Sequence, residues 1–136
     1  MPKGELQQIH PVLPVRNVVS SLQFYVEKLG FTIAFADHDT TPNYAGVRRD
    51  QIEIHLQSHS SEEWEAMTAS SLRFVVLHIE DLYSEYKRAE VFHANTALKE
   101  TTWGTKEFAF FDQDRNGLTF YQDLCLITEV HRGLKF

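Results

Sequence analysis

Cysteine is almost missing from the sequence, because Cys125 is the only one among the 136 residues. A single thiol excludes an intrachain disulfide and any metal site built from several cysteines. Long apolar runs are missing too, and none approaches the roughly 18 residues that a membrane-spanning helix needs. The segment from Met1 to Gln8 lacks the apolar centre of a secretory signal. These absences predict a cytoplasmic protein with no membrane partner.

Positive charge is also scarce. The 13 Lys and Arg residues against 19 Asp and Glu residues give a formal net charge of -6. No basic cluster is longer than the pair Arg48-Arg49, so the sequence lacks the basic footprint that nucleic-acid-binding proteins carry. An acidic surface attracts cationic ligands at long range, although mild acidity is also ordinary for cytosolic proteins. We therefore expect no nucleic acid as partner.

The common catalytic motifs are missing as well. The sequence has no nucleophile elbow, no phosphate-binding loop and no dinucleotide-binding glycine motif. Cys125 follows the last predicted strand with no paired base apparent, which indicates an inert thiol. We predict no catalytic residue from these patterns.

The first half of the sequence predicts a βαβββ module. The segment from His10 to Val15 is a short strand, and Ser20-Ser21 offers an N-cap for a helix that Gly30 terminates. Apolar residues at helical spacing support that helix: Leu22, Tyr25, Val26 and Leu29. β-branched and aromatic residues then predict three strands, from Phe31 to Ala36, from Tyr44 to Arg48 and from Gln51 to Gln57.

The second half predicts the same order of elements. After a polar connector, the segment from Leu72 to Ile79 is an apolar strand, and Asp81 caps a helix whose Leu82, Tyr86 and Ala89 share a face. The later strands run from Thr96 to Glu100, from Lys106 to Phe111 and from Leu118 to Gln122. The segments Val15 to Val18 and Ile79 to Leu82 match in pattern, about half a chain apart.

These patterns predict one α+β domain over residues 1–136. It would contain two tandem βαβββ modules, at about residues 8–57 and 72–123, followed by a C-terminal extension at 124–136.

Several segments resemble the vicinal-oxygen-chelate superfamily, which includes glyoxalase I, extradiol dioxygenases and the fosfomycin- and bleomycin-resistance proteins. The opening strand and helix are similar at Pro11 to Leu13, Phe24-Tyr25 and Lys28 to Phe31. The segments Tyr44 to Val47 and Trp103-Gly104 with Glu107 resemble the bleomycin-resistance branch, whose members bind the drug without degrading it. The resemblance implies a curved mixed sheet around a cavity. It also implies a homodimer with two ligand grooves at the interface, and an arm exchange with a hinge near Pro11.

Metal-dependent members of that superfamily place four ligands, drawn from His, Glu and Gln, on their strands. The resemblance puts His10 and Glu53 at the first two ligand positions, with His55 on the same strand face as Glu53. The other two positions fall on residues that are uncommon ligands for a hard cation, namely Phe74 or Arg73 for the third and Thr119 or Tyr121 for the fourth. We therefore expect no metal site and no cofactor, and interpret His10 and Glu53 as structural or surface groups.

The same resemblance assigns a ligand-binding surface. It points to Tyr44, Phe74 and Trp103 as the aromatic positions that contact the drug, where a flat, partly cationic ligand would stack. The predicted groove residues also include Thr119, Tyr121 and Arg115. A core position remains an alternative for Phe74, and a core or interface position remains one for Trp103. Arg115 stands where the family has a glycine, which weakens the case for bleomycin itself as the ligand.

Three functions are consistent with the sequence. The first is a bleomycin-resistance-like protein that sequesters a hydrophobic or cationic small molecule, such as a bleomycin-type antibiotic, without metal catalysis. The second is a metal-dependent lyase, thiol transferase or dioxygenase of the same fold that uses His10 and Glu53. The third is a non-catalytic regulatory role. We favour the first.

Overall fold

The computed structural model describes residues 3–67 and 70–124. Residues 125–136, which include Cys125 and all but the first residue of the predicted C-terminal extension, lie outside the described residues. The chain divides into two compact units, Met1–Glu65 and Ala66–Phe136. Within the described ranges, no helix is both long and apolar enough to cross a membrane.

The first unit contains a four-stranded mixed sheet. The elements in chain order are β1 (Val12–Val15), α1 (Val18–Gln23), β2 (Thr32–Ala36), β3 (Tyr44–Arg49) and β4 (Ile52–Ser58), and α2 (Ser61–Ala66) follows at the boundary of the unit. A π-helical segment, Phe24–Lys28, continues α1. The strand order is β1-β4-β3-β2, in which β1 is parallel to β4 and the other pairs are antiparallel.

The second unit repeats this topology. Its elements are β5 (Ser71–Val75), α3 (Ile79–Arg88), β6 (Lys99–Glu100), β7 (Thr105–Phe111) and β8 (Gly117–Asp123). The strand order is β5-β8-β7-β6, and the only parallel pair among these described strands is again the one between the first and last strands, β5 and β8. The α+β class and the two tandem βαβββ modules are therefore confirmed.

The start of α1 differs from the prediction. Asn17 is the N-cap, and its Oδ1 accepts a hydrogen bond of 3.0 Å from the backbone N–H of Ser20. Ser20 and Ser21, which we predicted as the cap, lie inside the helix. Gly30 does adopt the predicted left-handed conformation, with φ of 80°.

The start of the second unit also differs. The strand predicted from Leu72 to Ile79 ends at Val75, because His78 adopts a left-handed conformation with φ of 58° and starts α3. Asp81 therefore lies in the first turn of α3 and is not its cap. The matched segments Val15 to Val18 and Ile79 to Leu82 occupy different places, since only the first joins a strand to a helix.

Each sheet packs one face against its own helix. In the first unit α1 contacts β3 and β4, and the buried strand residues alternate along the chain, as at Ile54 and Leu56 of β4. In the second unit α3 contacts β7 and β8, and Tyr86 of the helix meets the rings of Phe108, Phe110 and Phe120 edge-on. The alternation leaves the other side chains of each sheet on the opposite face.

Candidate functional site

The face of each sheet away from its helix carries polar and aromatic side chains. We call the surface formed by Phe35, Tyr44, Arg48, Glu53 and His55, with the adjoining His10, the first polar face. We call the surface formed by Arg73, Trp103, Thr105, Glu107, Thr119 and Tyr121 the second polar face. Both surfaces contain residues that the sequence singled out.

A chain of hydrogen bonds runs through the first polar face. The Tyr44 hydroxyl lies 2.7 Å from Nδ1 of His55, and Nε2 of His55 lies 2.8 Å from Oε2 of Glu53. Register brings these residues together, because Gly46 on β3 pairs with His55 on β4, while Tyr44 lies two residues before Gly46 on the same face. These two hydrogen bonds fix the orientation of the His55 ring, one at each ring nitrogen.

Glu53 is held as a carboxylate. The hydrogen bond from His55 and the one from Arg48 lower its pKa below the ordinary glutamate value, against the opposing effect of burial. Arg48 donates to Oε1 from Nη2 at 2.6 Å and from Nε at 3.2 Å. Because Arg48 occupies Oε1, the other oxygen, Oε2, faces the histidines. Glu53 is therefore ion-paired with Arg48, which fits its interpretation as a structural or surface group.

His10 completes this cluster from the segment just before β1. Its ring stacks on the His55 ring with a centroid distance of 4.7 Å and an interplanar angle of 26°. Its Nε2 lies 3.7 Å from Oε2 of Glu53. Both imidazoles therefore approach the same carboxylate oxygen.

Phe35 forms an aromatic edge to the first polar face, and no sequence pattern directly indicated this position. A β-bulge between Ile33 and Phe35 shifts the register of β2, so that Phe35 pairs with Gly46. A Cβ atom at Gly46 would lie 2.4 Å from Cε1 of Phe35, so the ring occupies the space that this glycine leaves. The Phe35 ring meets His55 edge-on at 5.0 Å and stacks with Tyr44 at 6.0 Å.

The second polar face is centred on Glu107. Its Oε2 accepts hydrogen bonds from Arg73 Nη2 at 2.6 Å, Thr105 Oγ1 at 2.7 Å and the Trp103 indole N–H at 3.3 Å. The guanidinium carbon of Arg73 lies 4.4 Å from the centroid of the Tyr121 ring. Thr119 lies on the same face, because it pairs with Arg73 across β5 and β8.

The charge of Glu107 results from two opposing effects. Burial tends to raise its pKa, but the hydrogen bonds from Arg73, Thr105 and Trp103 outweigh burial and lower the pKa below the ordinary value. The ion pair with Glu107 likewise raises the pKa of Arg73. The two groups therefore form a charged pair at neutral pH.

Trp103 is the most exposed aromatic side chain of this surface. The residue is 59% exposed, although its indole N–H is anchored on Glu107. An anchored and largely exposed indole offers a rigid surface on which a flat ligand can stack. The core alternative for Trp103 is therefore wrong.

Phe74 and Arg115 lie apart from the second polar face. The Phe74 ring stacks on Phe120 at 4.5 Å, on the helix-packed side of the sheet, whereas its neighbour Arg73 points to the polar side. Arg115 lies in the turn between β7 and β8, is exposed and has φ of 67°. Alternation along β5 thus favours the packing alternative for Phe74.

The four-ligand metal set implied by the resemblance does not fit this chain. His10 and Glu53 lie together, but the third and fourth positions hold Phe74 or Arg73 and Thr119 or Tyr121. Phe74 lacks a donor atom, and Arg73 is a cation paired with Glu107. We therefore derive no reaction step from that four-ligand set.

Sequence reasoning missed the partners that organise both surfaces. Glu107 was noted only as part of a motif, and Arg73 only as a metal-ligand position. Strand alternation could have indicated their position. Arg73, Glu107 and Tyr121 each lie next to a phenylalanine of the same strand, and neighbouring strand residues point to opposite faces of the sheet. The bulge that places Phe35 has no such periodic signal, although Gly46 inside a strand indicates a close approach.

Comparisons with known proteins agree with this architecture. The family model described as Glyoxalase/Bleomycin resistance protein/Dioxygenase superfamily matches residues 7–120. A bleomycin resistance protein of Geobacillus stearothermophilus is 31% identical over 134 residues, covering 88% of this chain and 98% of that protein. The superfamily and the bleomycin-resistance branch inferred from the motifs are therefore confirmed.

Solved structures share the fold of this chain. A bleomycin resistance determinant encoded on the transposon Tn5 superposes with a TM-score of 0.72 at 22% identity, covering 87% of this chain and 98% of that chain. The bleomycin-binding protein of Streptomyces verticillus, crystallised with copper(II)-bleomycin, has a TM-score of 0.63 and 26% identity, covering 87% of this chain and 97% of that chain. On sequence and fold together, the chain belongs to the glyoxalase/bleomycin resistance protein/dioxygenase superfamily.

Proposed function

We propose that this protein binds and sequesters a bleomycin-type antibiotic, or a related flat and cationic ligand, without transforming it. The observation that carries this proposal is Trp103, whose largely exposed indole is fixed by Glu107 on the second polar face. A ligand that stacks on this ring would bury aromatic area at a small cost in side-chain entropy, because the ring is already anchored. The relatives named above support the choice of ligand.

The overall charge of the chain also suits a cationic ligand. The carboxylates of Glu53 and Glu107 are each balanced by an arginine on the same polar face, so this attraction comes from the rest of the surface. The net charge of -6 would add a long-range attraction for a cation, which increases the association rate at low salt.

We propose Tyr44, Trp103, Thr119 and Tyr121 as the residues that contact the ligand directly. Phe74 would contribute indirectly, by packing on Phe120 on the helix-packed side of the sheet that carries the second polar face. Arg115 would approach the ligand only from the turn between β7 and β8, so its contribution depends on the size of the ligand. We further propose that the protein is a cytoplasmic homodimer with its ligand grooves at the dimer interface.

Calorimetric titration with metal-free and copper-loaded bleomycin tests this function. We expect saturable binding of one ligand per chain, and a loss of about 1–3 kcal/mol of binding free energy in Trp103→Ala, in the range of stacking contacts to an aromatic ring. Trp64→Phe is the matched control, because it changes the other tryptophan of the chain and keeps a ring in its place. Absence of heat with both forms of the drug would contradict the proposal, as would equal binding by wild type and Trp103→Ala.

A further inference from the structure

His10, Glu53 and His55 form the only group of three potential metal-ligating side chains within residues 3–67 and 70–124. One ligand atom from each residue lies within 4.8 Å of the other two. We infer that these three side chains bind one divalent transition-metal ion, with solvent or a ligand completing the coordination. The inference does not rest on the proposed antibiotic binding.

The donor distances are close to those of a metal centre. Three ligands bonded at about 2.0–2.1 Å to a tetrahedral or octahedral ion lie roughly 3–3.5 Å from one another. In the structure Oε2 of Glu53 lies 2.8 Å from Nε2 of His55 and 3.7 Å from Nε2 of His10. An ion between the three atoms would replace the hydrogen bond between Nε2 of His55 and Glu53, with His55 moving outward and His10 moving inward.

The surrounding residues restrict the orientation of two of the three ligands, Glu53 and His55. Arg48 binds Oε1 of Glu53, which leaves Oε2 directed at the imidazoles. The Tyr44 hydroxyl bonds to Nδ1 of His55, so that Nε2 is the nitrogen available to the ion. Such outer partners fix the tautomer and ring orientation of metal-bound histidines. The stacking of His10 on His55 brings the second imidazole beside the first.

The donor types indicate which ion would bind. Two imidazoles and one carboxylate suit zinc, copper, nickel or cobalt, whereas magnesium and calcium prefer oxygen ligands throughout. The side chains of Glu53 and His55 are 15% and 14% exposed, and that of His10 is 29% exposed, so an ion could enter from solvent. Positive charge on Arg48 opposes the ion, and we therefore expect weaker binding than at a fully anionic site.

This set differs from the one on which the sequence-based expectation of no metal was founded. That expectation counted four family positions and found two of them lost. His55 supplies a third donor within the same unit, so the first polar face needs no ligand from the rest of the chain.

Titration of untagged, chelator-dialysed protein with zinc tests the inference, with the bound metal measured after equilibrium dialysis. We expect one zinc per chain, and cobalt should give a visible absorption band of a nitrogen- and oxygen-ligated ion. Tyr44→Phe should weaken zinc binding about tenfold, as is typical of outer partners of a ligand, and His10→Gln and His55→Gln should each weaken it more, because they remove a ligand.

His59→Gln is the matched control. It removes an imidazole of the same unit that pairs with Glu63 and lies outside the cluster. Circular dichroism of each variant checks that the fold is kept. Failure to retain zinc in dialysis would overturn the inference, and so would zinc binding that is the same in His55→Gln and His59→Gln. Neither result would alter the bleomycin titration.

Discussion

The polar faces of the two units each contain a partly buried glutamate, but the neighbours of these glutamates differ. Glu53 meets two imidazoles at Oε2 and keeps Arg48 at its other oxygen. Glu107 directs its Oε2 to a guanidinium, a hydroxyl and an indole. The same sheet topology thus supports a surface with metal-binding donors in one unit and an ion-paired aromatic surface in the other. The side chains beside the carboxylate, and not the topology, decide its chemistry.

A comparison of two adjacent residues on β8 should give the largest effect on stability. Phe120 is buried against Phe74, Phe108 and Phe110, whereas Tyr121 lies on the second polar face. We expect Phe120→Ala to reduce the free energy of unfolding by about 3–5 kcal/mol. Tyr121→Ala should reduce it by about 1 kcal/mol or less, with the larger effect on ligand binding. Urea unfolding of both variants measures the difference, and similar losses would contradict the assignment of faces.

Two glycines provide the next comparison, one in each unit. A Cβ at Gly46 would collide with the Phe35 ring at 2.4 Å, whereas a Cβ at Gly117 would meet no atom closer than 3.6 Å. Gly46→Ala should therefore cost about 1–3 kcal/mol through overpacking and displace Phe35 from the first polar face. Gly117→Ala should be close to neutral. Denaturant unfolding checks this, and an equally neutral Gly46→Ala would mean that the Phe35 ring is not confined.

The hairpin turns of the two units differ in the residue that adopts the left-handed conformation. Asp50 between β3 and β4 has φ of 53°, and Arg115 between β7 and β8 has φ of 67°. Aspartate tolerates this left-handed conformation better than arginine does. We expect Arg115→Gly to raise the free energy of unfolding by about 1 kcal/mol, because glycine adopts the left-handed conformation without strain. The greater entropy of glycine in the unfolded chain offsets part of this gain. Asp50→Gly should change it less. A larger gain at Asp50 in thermal unfolding would contradict this order.

The smallest expected effect is the contribution of Glu107 to the pH dependence of stability. Its folded-state pKa is lowered, so its stabilising effect is fully present above the ordinary glutamate pKa of about 4.3 and is lost as the pH falls through the folded value. Glu107→Gln should therefore lose less stability than wild type when the pH is lowered from neutral to about 3. Urea unfolding at a series of pH values measures this. Parallel pH profiles would show that the ion pair with Arg73 contributes nothing.

Much of the fold follows from periodicity and turn residues. The order of strands and helices, and the left-handed Gly30, could be predicted because their signals are local. The start of α1 could not be chosen reliably, since Asn17 and Ser20 are both good N-caps and only the folded chain selects Asn17. The apolar run after Leu72 was too ambiguous to predict that β5 stops at Val75 and that Ile79 begins a helix.

The candidate site was less predictable for a different reason. The resemblance pointed to Tyr44 and Trp103, both of which lie on polar faces. The resemblance alone did not indicate the face of Phe74, but strand alternation next to Arg73 did, in agreement with the core alternative. The approach of His10 to His55 depends on the parallel pairing of β1 with β4, a long-range contact that no local pattern contains.

The most direct test of antibiotic binding follows the fluorescence of Trp103 alone. The chain has two tryptophans, and Trp64→Phe leaves Trp103 as the single indole. Titration of this variant with metal-free bleomycin should change the emission saturably, with an endpoint of one ligand per chain, because the ligand stacks on the exposed ring. A calorimetric binding curve without any change in Trp103 emission would place the ligand elsewhere, and the absence of both signals would contradict the proposed function.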